Sequence, residues 1–260
     1  MVRIFHMKNI LNKFKINYMT WFLILFSLLA GYIKYTFIIM MIVVIHELGH
    51  IFFFKIFKFE ILKIIIYPFG GITYINKRIH ERMYKDFLCA IGGIVFQIIL
   101  WGIFLIMLKT GWIAESTYQI FFRYNLTIMF FNILPIVPLD GSKGINIILN
   151  KFFSFRFSYK VSGVISFCTF IFLVIFSAYY KINNLFIYMF LLWKVIEYLK
   201  EYKYVMNKFY LERVMYDHYY NEIINNCDNL NVLRLDKYYY FKKNGKYIKE
   251  KDYIRNSSYL

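Results

Sequence analysis

The sequence predicts an all-α polytopic membrane protein, with six transmembrane helices, a short re-entrant β/loop segment and a small basic cytoplasmic α/β tail. Three observations carry that expectation. The 260 residues are 60% hydrophobic and 23% aromatic, with a mean hydropathy of +0.49, well above the ~45–50% apolar content of ordinary soluble domains. Six runs approach the ~20 apolar residues that a helix needs to cross a ~30 Å hydrocarbon core. Lys and Arg gather in alternate connections between those runs. The same composition excludes disorder over most of the chain. With 3 Pro and 12 Gly, collagen-like and Pro/Gly-rich classes are excluded too.

The six runs are Asn17–Ile33, Tyr35–Phe57, Phe87–Leu108, Tyr118–Leu139, Val161–Tyr180 and Leu185–Leu199. Helices are the reading because lipid offers the backbone no hydrogen-bond partners and the runs are too long for barrel strands. The net charge is +17, and its distribution says more than its size. Arg3, Lys8, Lys13 and Lys15 precede the first run. Lys77, Arg78, Arg82 and Lys85 separate the second from the third, and Lys143, Lys151, Arg156 and Lys160 separate the fourth from the fifth. The other connections carry little beyond Lys34, Lys109 and Lys181. Both termini are therefore expected in the cytoplasm. A signal peptide over residues 1–33 is the rival reading, but no A-x-A-like site follows Leu29.

The second run contains His46-Glu47-Leu48-Gly49-His50. Ionisable residues inside a span are costly and usually functional. On a helix, residues four apart project from one face, so both imidazoles can hold one metal, with Glu47 close enough to reach a water there. Zinc suits such nitrogen ligands with one position left open. From five His and nine Glu, the motif would arise in a shuffled chain in about 0.3% of cases. A catalytic zinc site usually takes a third protein ligand. Asp140 is the one acid near the end of a long apolar run that can bend back. His6, His80, His218 and Glu115 lie outside the spans or in loops. Cys89, Cys168 and Cys227 are too dispersed for a disulfide framework or a CxxC metal site.

Two segments break the helical pattern. In Asn132-Ile133-Leu134-Pro135-Ile136-Val137-Pro138-Leu139-Asp140-Gly141, two of the three prolines remove backbone donors. Broken helix at membrane depth is tolerated only where it is buried or lines a wet cavity. The third proline lies in Tyr67-Pro68-Phe69-Gly70-Gly71-Ile72, after the β-branched run Ile64-Ile65-Ile66, which reads as strand and turn. Such a strand could dip into the membrane and add a substrate strand by backbone hydrogen bonds near Phe69, Gly70 and Gly71. A plain hairpin on the cytoplasmic face is an equal reading.

HELGH in one span with N-x-x-P-x-x-x-x-D-G in a later one resembles the site-2 protease family of intramembrane zinc metalloproteases. The resemblance covers about residues 35–141 in motifs and 1–200 in architecture. It implies His46, His50 and Asp140 as zinc ligands, one Zn2+ per chain, and Glu47 as the catalytic acid/base. It also places Asn132 and Pro135 beside the substrate. The small size, the PFGG loop and the lack of an inserted PDZ domain are similar to the sporulation branch of the family. That implies as partner a membrane-associated substrate of the pro-sigma-K type, the precursor of a sporulation sigma factor, with membrane regulatory proteins and the lipid bilayer around it. The third span departs from the family's A-G-P-x-x-N pattern. It reads Ile91-Gly92-Gly93-Ile94-Val95-Phe96, with Gln97 one place later, so no role of that Asn is carried over.

Residues 1–200 thus read as a six-span intramembrane metalloprotease domain, and 201–260 as a basic cytoplasmic tail. Bacterial relatives often end in a CBS domain, for which this tail is short, truncated or diverged. Tyr238–Lys249 reads as a hairpin around Asn244-Gly245. Interspersed acids argue against nucleic acid as a partner and leave a solvated face, or docking to anionic lipid or substrate. Two other functions compete. One is an HExxH peptidase of another class, with Glu60 as third ligand. The other is a non-enzymatic membrane scaffold or transporter.

Overall fold

Residues 13–67, 70–181, 185–216, 220, 222–227, 229–243 and 246–256 are described by the computed structural model. Pro68, Phe69, Asn244, Gly245, His6 and His218 lie outside them. The described chain divides into two compact units. One comprises residues 13–77 and 88–133, the other Arg78–Phe87 and residues 134–256.

The first unit opens with a short strand, β1 (Phe14–Ile16), and an apolar helix, α1 (Tyr18–Leu29). Asn17 joins them and caps the helix, its side chain accepting the Met19 N–H at 2.9 Å. Helix α2 (Ile33–Ile56) carries HELGH; strands β2 (Glu60–Tyr67) and β3 (Gly70–Asn76) follow as an antiparallel hairpin. Sheet order is β1-β2-β3, with β1 parallel to β2. Residues 14–16 therefore pair with Ile64–Ile66, which residue patterning alone did not reveal. Thr20, buried in α1, donates its hydroxyl to the Ile66 carbonyl at 2.9 Å and ties α1 to the hairpin. Helix α3 (Met83–Lys109), from Leu88 onward, and helix α4 (Glu115–Ile133) complete the unit.

Two apolar clusters hold these elements around α2. Ile51, Phe54, Ile61, Ile64 and Cys89 join α2 to β2 and α3. Ile38, Ile42, Leu100 and Phe121 join α2 to α3 and α4. Between the clusters, glycines bring two helix backbones together. A Cβ on Gly49 would lie 2.2 Å from the Gly92 carbonyl oxygen, and one on Gly92 would lie 2.7 Å from that of Gly49. Small residues permit this approach, and it places the part of α2 that carries HELGH directly against α3.

In the second unit, α5 (Asp140–Phe152), α6 (Phe155–Tyr179) and α7 (Leu185–Lys200) precede α8 (Tyr202–Met215). A small sheet follows, built from β4 (Glu222–Cys227), β5 (Lys237–Lys243) and β6 (Lys246–Lys249), and α9 (Glu250–Arg255) is the last element among the described residues. The expected hairpin is present as antiparallel β5 and β6, with Lys243 opposite Lys246. Phe155, Tyr159, Phe209, Tyr210, Leu233, Tyr239, Phe241 and Ile254 form its core.

Among the described residues, three helices are long and apolar enough to cross a membrane: α2, α3 and α6. The first expected run contains only the 12 residues of α1, and the sixth coincides with all but the last of the 16 residues of α7. The fourth is divided. Helix α4 ends at Ile133, and Asp140 starts α5 rather than ending the preceding helix. Pro135 and Pro138 explain the interruption, since neither can donate a helical hydrogen bond.

Candidate metal centre

His46, Glu47 and His50 each offer a ligand atom, and these atoms all lie within 4.8 Å of one another. The three residues are 3%, 3% and 4% exposed, a degree of burial that demands a partner for every polar atom. Helical spacing brings the two imidazole Nε2 atoms to 3.1 Å. Each ring is held from behind. His50 Nδ1 lies 2.7 Å from the Cys89 carbonyl oxygen, an acceptor only, so His50 donates there and keeps a lone pair on Nε2. His46 Nδ1 lies 3.0 Å from Gln97 Oε1. With both Nδ1 protons committed to α3, two Nε2 lone pairs face one point.

That arrangement fits zinc. Two nitrogens ~2.05 Å from a tetrahedral ion lie about 3.3 Å apart, close to the separation found. A cation between them satisfies both lone pairs at once, and ligating histidines commonly donate their other nitrogen to a carbonyl.

Glu47 points toward the hairpin. Its Oε1 accepts the Gly71 N–H at 3.0 Å, and its Oε2 faces the Thr73 hydroxyl at 3.4 Å. Gly71 and Thr73 sit opposite Ile66 and Ile64, which direct their own backbone groups to β1: Ile64 donates to Lys13, and Ile66 accepts from Asn17. The Gly71 and Thr73 backbones therefore face the open edge of β3. Glycine is required beside Glu47, because a Cβ on Gly71 would lie 2.4 Å from the Glu47 carboxyl carbon. Gly93 is required beside His46, its Cβ position lying 2.4 Å from the ring's Cε1. Gly70 has φ +147°, outside the range of L side chains.

Asn132 is buried in the last turn of α4. Pro135 lies in the interrupted stretch after it. In the second unit, Asp140 is buried at the first turn of α5 and pairs with Lys143 at 2.8 Å. The other acids considered are engaged elsewhere. Glu60 is exposed and accepts from Asn76 at 3.0 Å, and Glu115 accepts from Gln119. His80 sits beside Glu212 and accepts from Arg213. The sequence reading missed the partners of the histidines, Gln97 and the Cys89 carbonyl. Gln97, a polar residue in an apolar run, was the one available signal.

No family model matches the chain. Stage IV sporulation protein FB of Bacillus subtilis is 28% identical over 208 residues, 79% of this chain and 72% of that protein. The solved site-2 protease from Methanocaldococcus jannaschii shares the fold with a TM-score of 0.55, at 21% identity over 71% of this chain and 90% of that one. The chain is similar in sequence to a sporulation protein and in fold to a site-2 protease. A zinc metalloprotease of M. jannaschii is also similar, 29% identical over 124 residues, 46% of this chain and 36% of that protein. The proteins it resembles are those that the paired motifs led one to expect, a sporulation protein included.

Proposed function

We propose that the chain is an intramembrane zinc endopeptidase, hydrolysing a peptide bond in or near the membrane segment of a protein substrate. The pair of imidazoles, each donating through Nδ1 and converging through Nε2 beside Glu47, carries this reading. One zinc is held per chain by His46 and His50, with Asp140 as third ligand. Support for Asp140 comes from its place in the second motif and its burial. The division into a six-span domain, residues 1–200, and a cytoplasmic tail, 201–260, rests on hydropathy and on the alternation of basic connections, as do the cytoplasmic termini.

Zinc in this site supplies Lewis acidity to the scissile carbonyl. The chain's own residues do the rest. Glu47 takes the proton of the attacking water and returns it to the leaving amine. A helical substrate must first unwind, because its amides are hydrogen-bonded and shielded. The open edge of β3 at Gly71 accepts the extended backbone as an added strand, a role that the sequence extends to Phe69 and Gly70. That alignment runs the substrate past Glu47. Asn132 bonds freed backbone groups, and Pro135 keeps the chain beside it from closing into helix. The substrate is membrane-associated, of the sporulation sigma-factor precursor type (pro-sigma-K), a reading supported by the similarity to a sporulation protein.

Co-expression with such a substrate tests the proposal. The parent chain should cleave it, and Glu47→Gln should keep zinc and lose cleavage about 10²–10⁴-fold. Normal cleavage by Glu47→Gln would refute the mechanism.

A further inference from the structure

His46 can hold zinc through Nε2 only in one tautomer, and the structure shows what selects it. The Nδ1 proton must point to an acceptor. The neighbour is Gln97, whose amide carries an acceptor and a donor of similar shape. If Gln97 presents its oxygen, His46 donates from Nδ1 and carries its lone pair on Nε2. If the amide were reversed, His46 would accept at Nδ1 and carry its proton on Nε2, aimed at His50 Nε2 3.1 Å away. The second arrangement satisfies both rings by a direct hydrogen bond and closes the site to a cation. Gln97 has no exposure at all, so water does not arbitrate between the two.

Asn125 does. It is 1% exposed on α4, and its Oδ1 accepts from Gln97 Nε2 at 3.3 Å. With its Oδ1 turned to α3, Asn125 gives the Gln97 amino group its acceptor and leaves the Gln97 oxygen to His46. The chain His46–Gln97–Asn125 crosses three helices, α2, α3 and α4, and each link is buried. Asn125 also lies seven residues, two turns, before Asn132, so both project from one face of α4.

We propose that Asn125 is a positioning residue for the metal centre: by fixing the orientation of the Gln97 amide, it selects the His46 tautomer that can bind zinc. The proposal rests on the zinc reading above and adds to it a residue that touches neither metal nor substrate. Its consequence is a dependence of metal affinity, not only of cleavage, on an asparagine two hydrogen bonds away.

Zinc affinity of the full chain in detergent, measured by competition with a chromogenic chelator, decides it. Asn125→Leu, similar in volume, should weaken zinc about tenfold, and Gln97→Met by 10–100-fold, the range for outer partners of metal-bound histidines. Gln97→Glu supplies an acceptor that needs no orienting. It should bind zinc at least as well as the parent, and adding Asn125→Leu to it should change affinity less than about threefold. Equal losses from Asn125→Leu in both backgrounds would mean a packing role and overturn the relay. So would parent-like zinc affinity in Asn125→Leu or in Gln97→Met. If the parent binds no more zinc than His46→Ala, the zinc reading itself fails, and the relay with it.

Discussion

The carboxylate of Glu47 and the backbone amide of Gly71 are hydrogen-bonded at 3.0 Å, joining the acid of the HExxH helix to the open edge of a β-hairpin. The contact makes the hairpin part of the candidate site rather than a neighbouring loop. It also separates two demands on α2, because Glu47 is held by β3 whereas the histidines are held by α3.

Gly71→Ala should therefore damage catalysis and spare the metal. Its Cβ would stand 2.4 Å from the Glu47 carboxyl carbon, displacing the proposed general base, a role worth about 10²–10⁴ in rate. Cleavage rate and metal content measured on one preparation would show it. Parent-like cleavage would mean that β3 does not position Glu47.

Gly93→Ala should do the reverse. Its Cβ would press the His46 ring at 2.4 Å, and zinc should be lost along with activity. Gly102→Ala on the same helix meets nothing within 4 Å and should leave zinc content at the parent level. Zinc retained in Gly93→Ala at full stoichiometry would contradict the packing described for α2 and α3.

Asp140→Asn should weaken zinc at least tenfold, because an amide oxygen is a poorer ligand than a carboxylate. Glu60→Gln, altering an exposed residue bonded to Asn76, should leave zinc unchanged. The opposite pattern would favour the other class of HExxH peptidase. Metal analysis by mass spectrometry reads the difference.

A fourth expectation concerns the connection after β3. Ile79 donates its amide to Glu212 at 2.7 Å, His80 stacks on Phe209, and Arg213 bonds His80, Glu250 and the Arg234 and Lys237 carbonyls. Burial tends to raise the Glu212 pKa, but the hydrogen bonds from His80 and Ile79 outweigh it and hold the carboxyl below its ordinary 4.5. A group with a lowered native pKa contributes stability that is complete above its unfolded value and fades as pH falls through the native one. Exchange protection of the Ile79 amide should be constant above about pH 4.5 and decline below it. In Glu212→Gln protection should be weaker and free of that decline. A decline of equal size in the variant would assign the effect to another group.

Much of the site was readable before any coordinates. The i, i+4 spacing of His46 and His50 is a local property of one helix, and Glu47 travels with it. The prolines at 135 and 138 announced an interruption, and helix α4 does stop at Ile133. What escaped were contacts between residues far apart in sequence. His46 meets Gln97 across 51 residues and His50 meets the Cys89 carbonyl across 39. Periodicity cannot report which polar residue of one helix faces which of another. The parallel pairing of β1 with β2 escaped for the same reason, since three residues carry no pattern of their own.

Local order in the chain was enough to name the chemistry: a helical pair of imidazoles with an acid between them, inside an apolar run, leaves few alternatives to a metal. Packing supplied what makes those groups usable. The close approach of Gly49 to Gly92 sets α3 against α2, the carbonyl of Cys89 and the amide of Gln97 choose which nitrogen of each ring carries the proton, and Gly71 aims the carboxylate. Hydrogen bonds have direction, and direction exists only once the helices and the hairpin are placed in space.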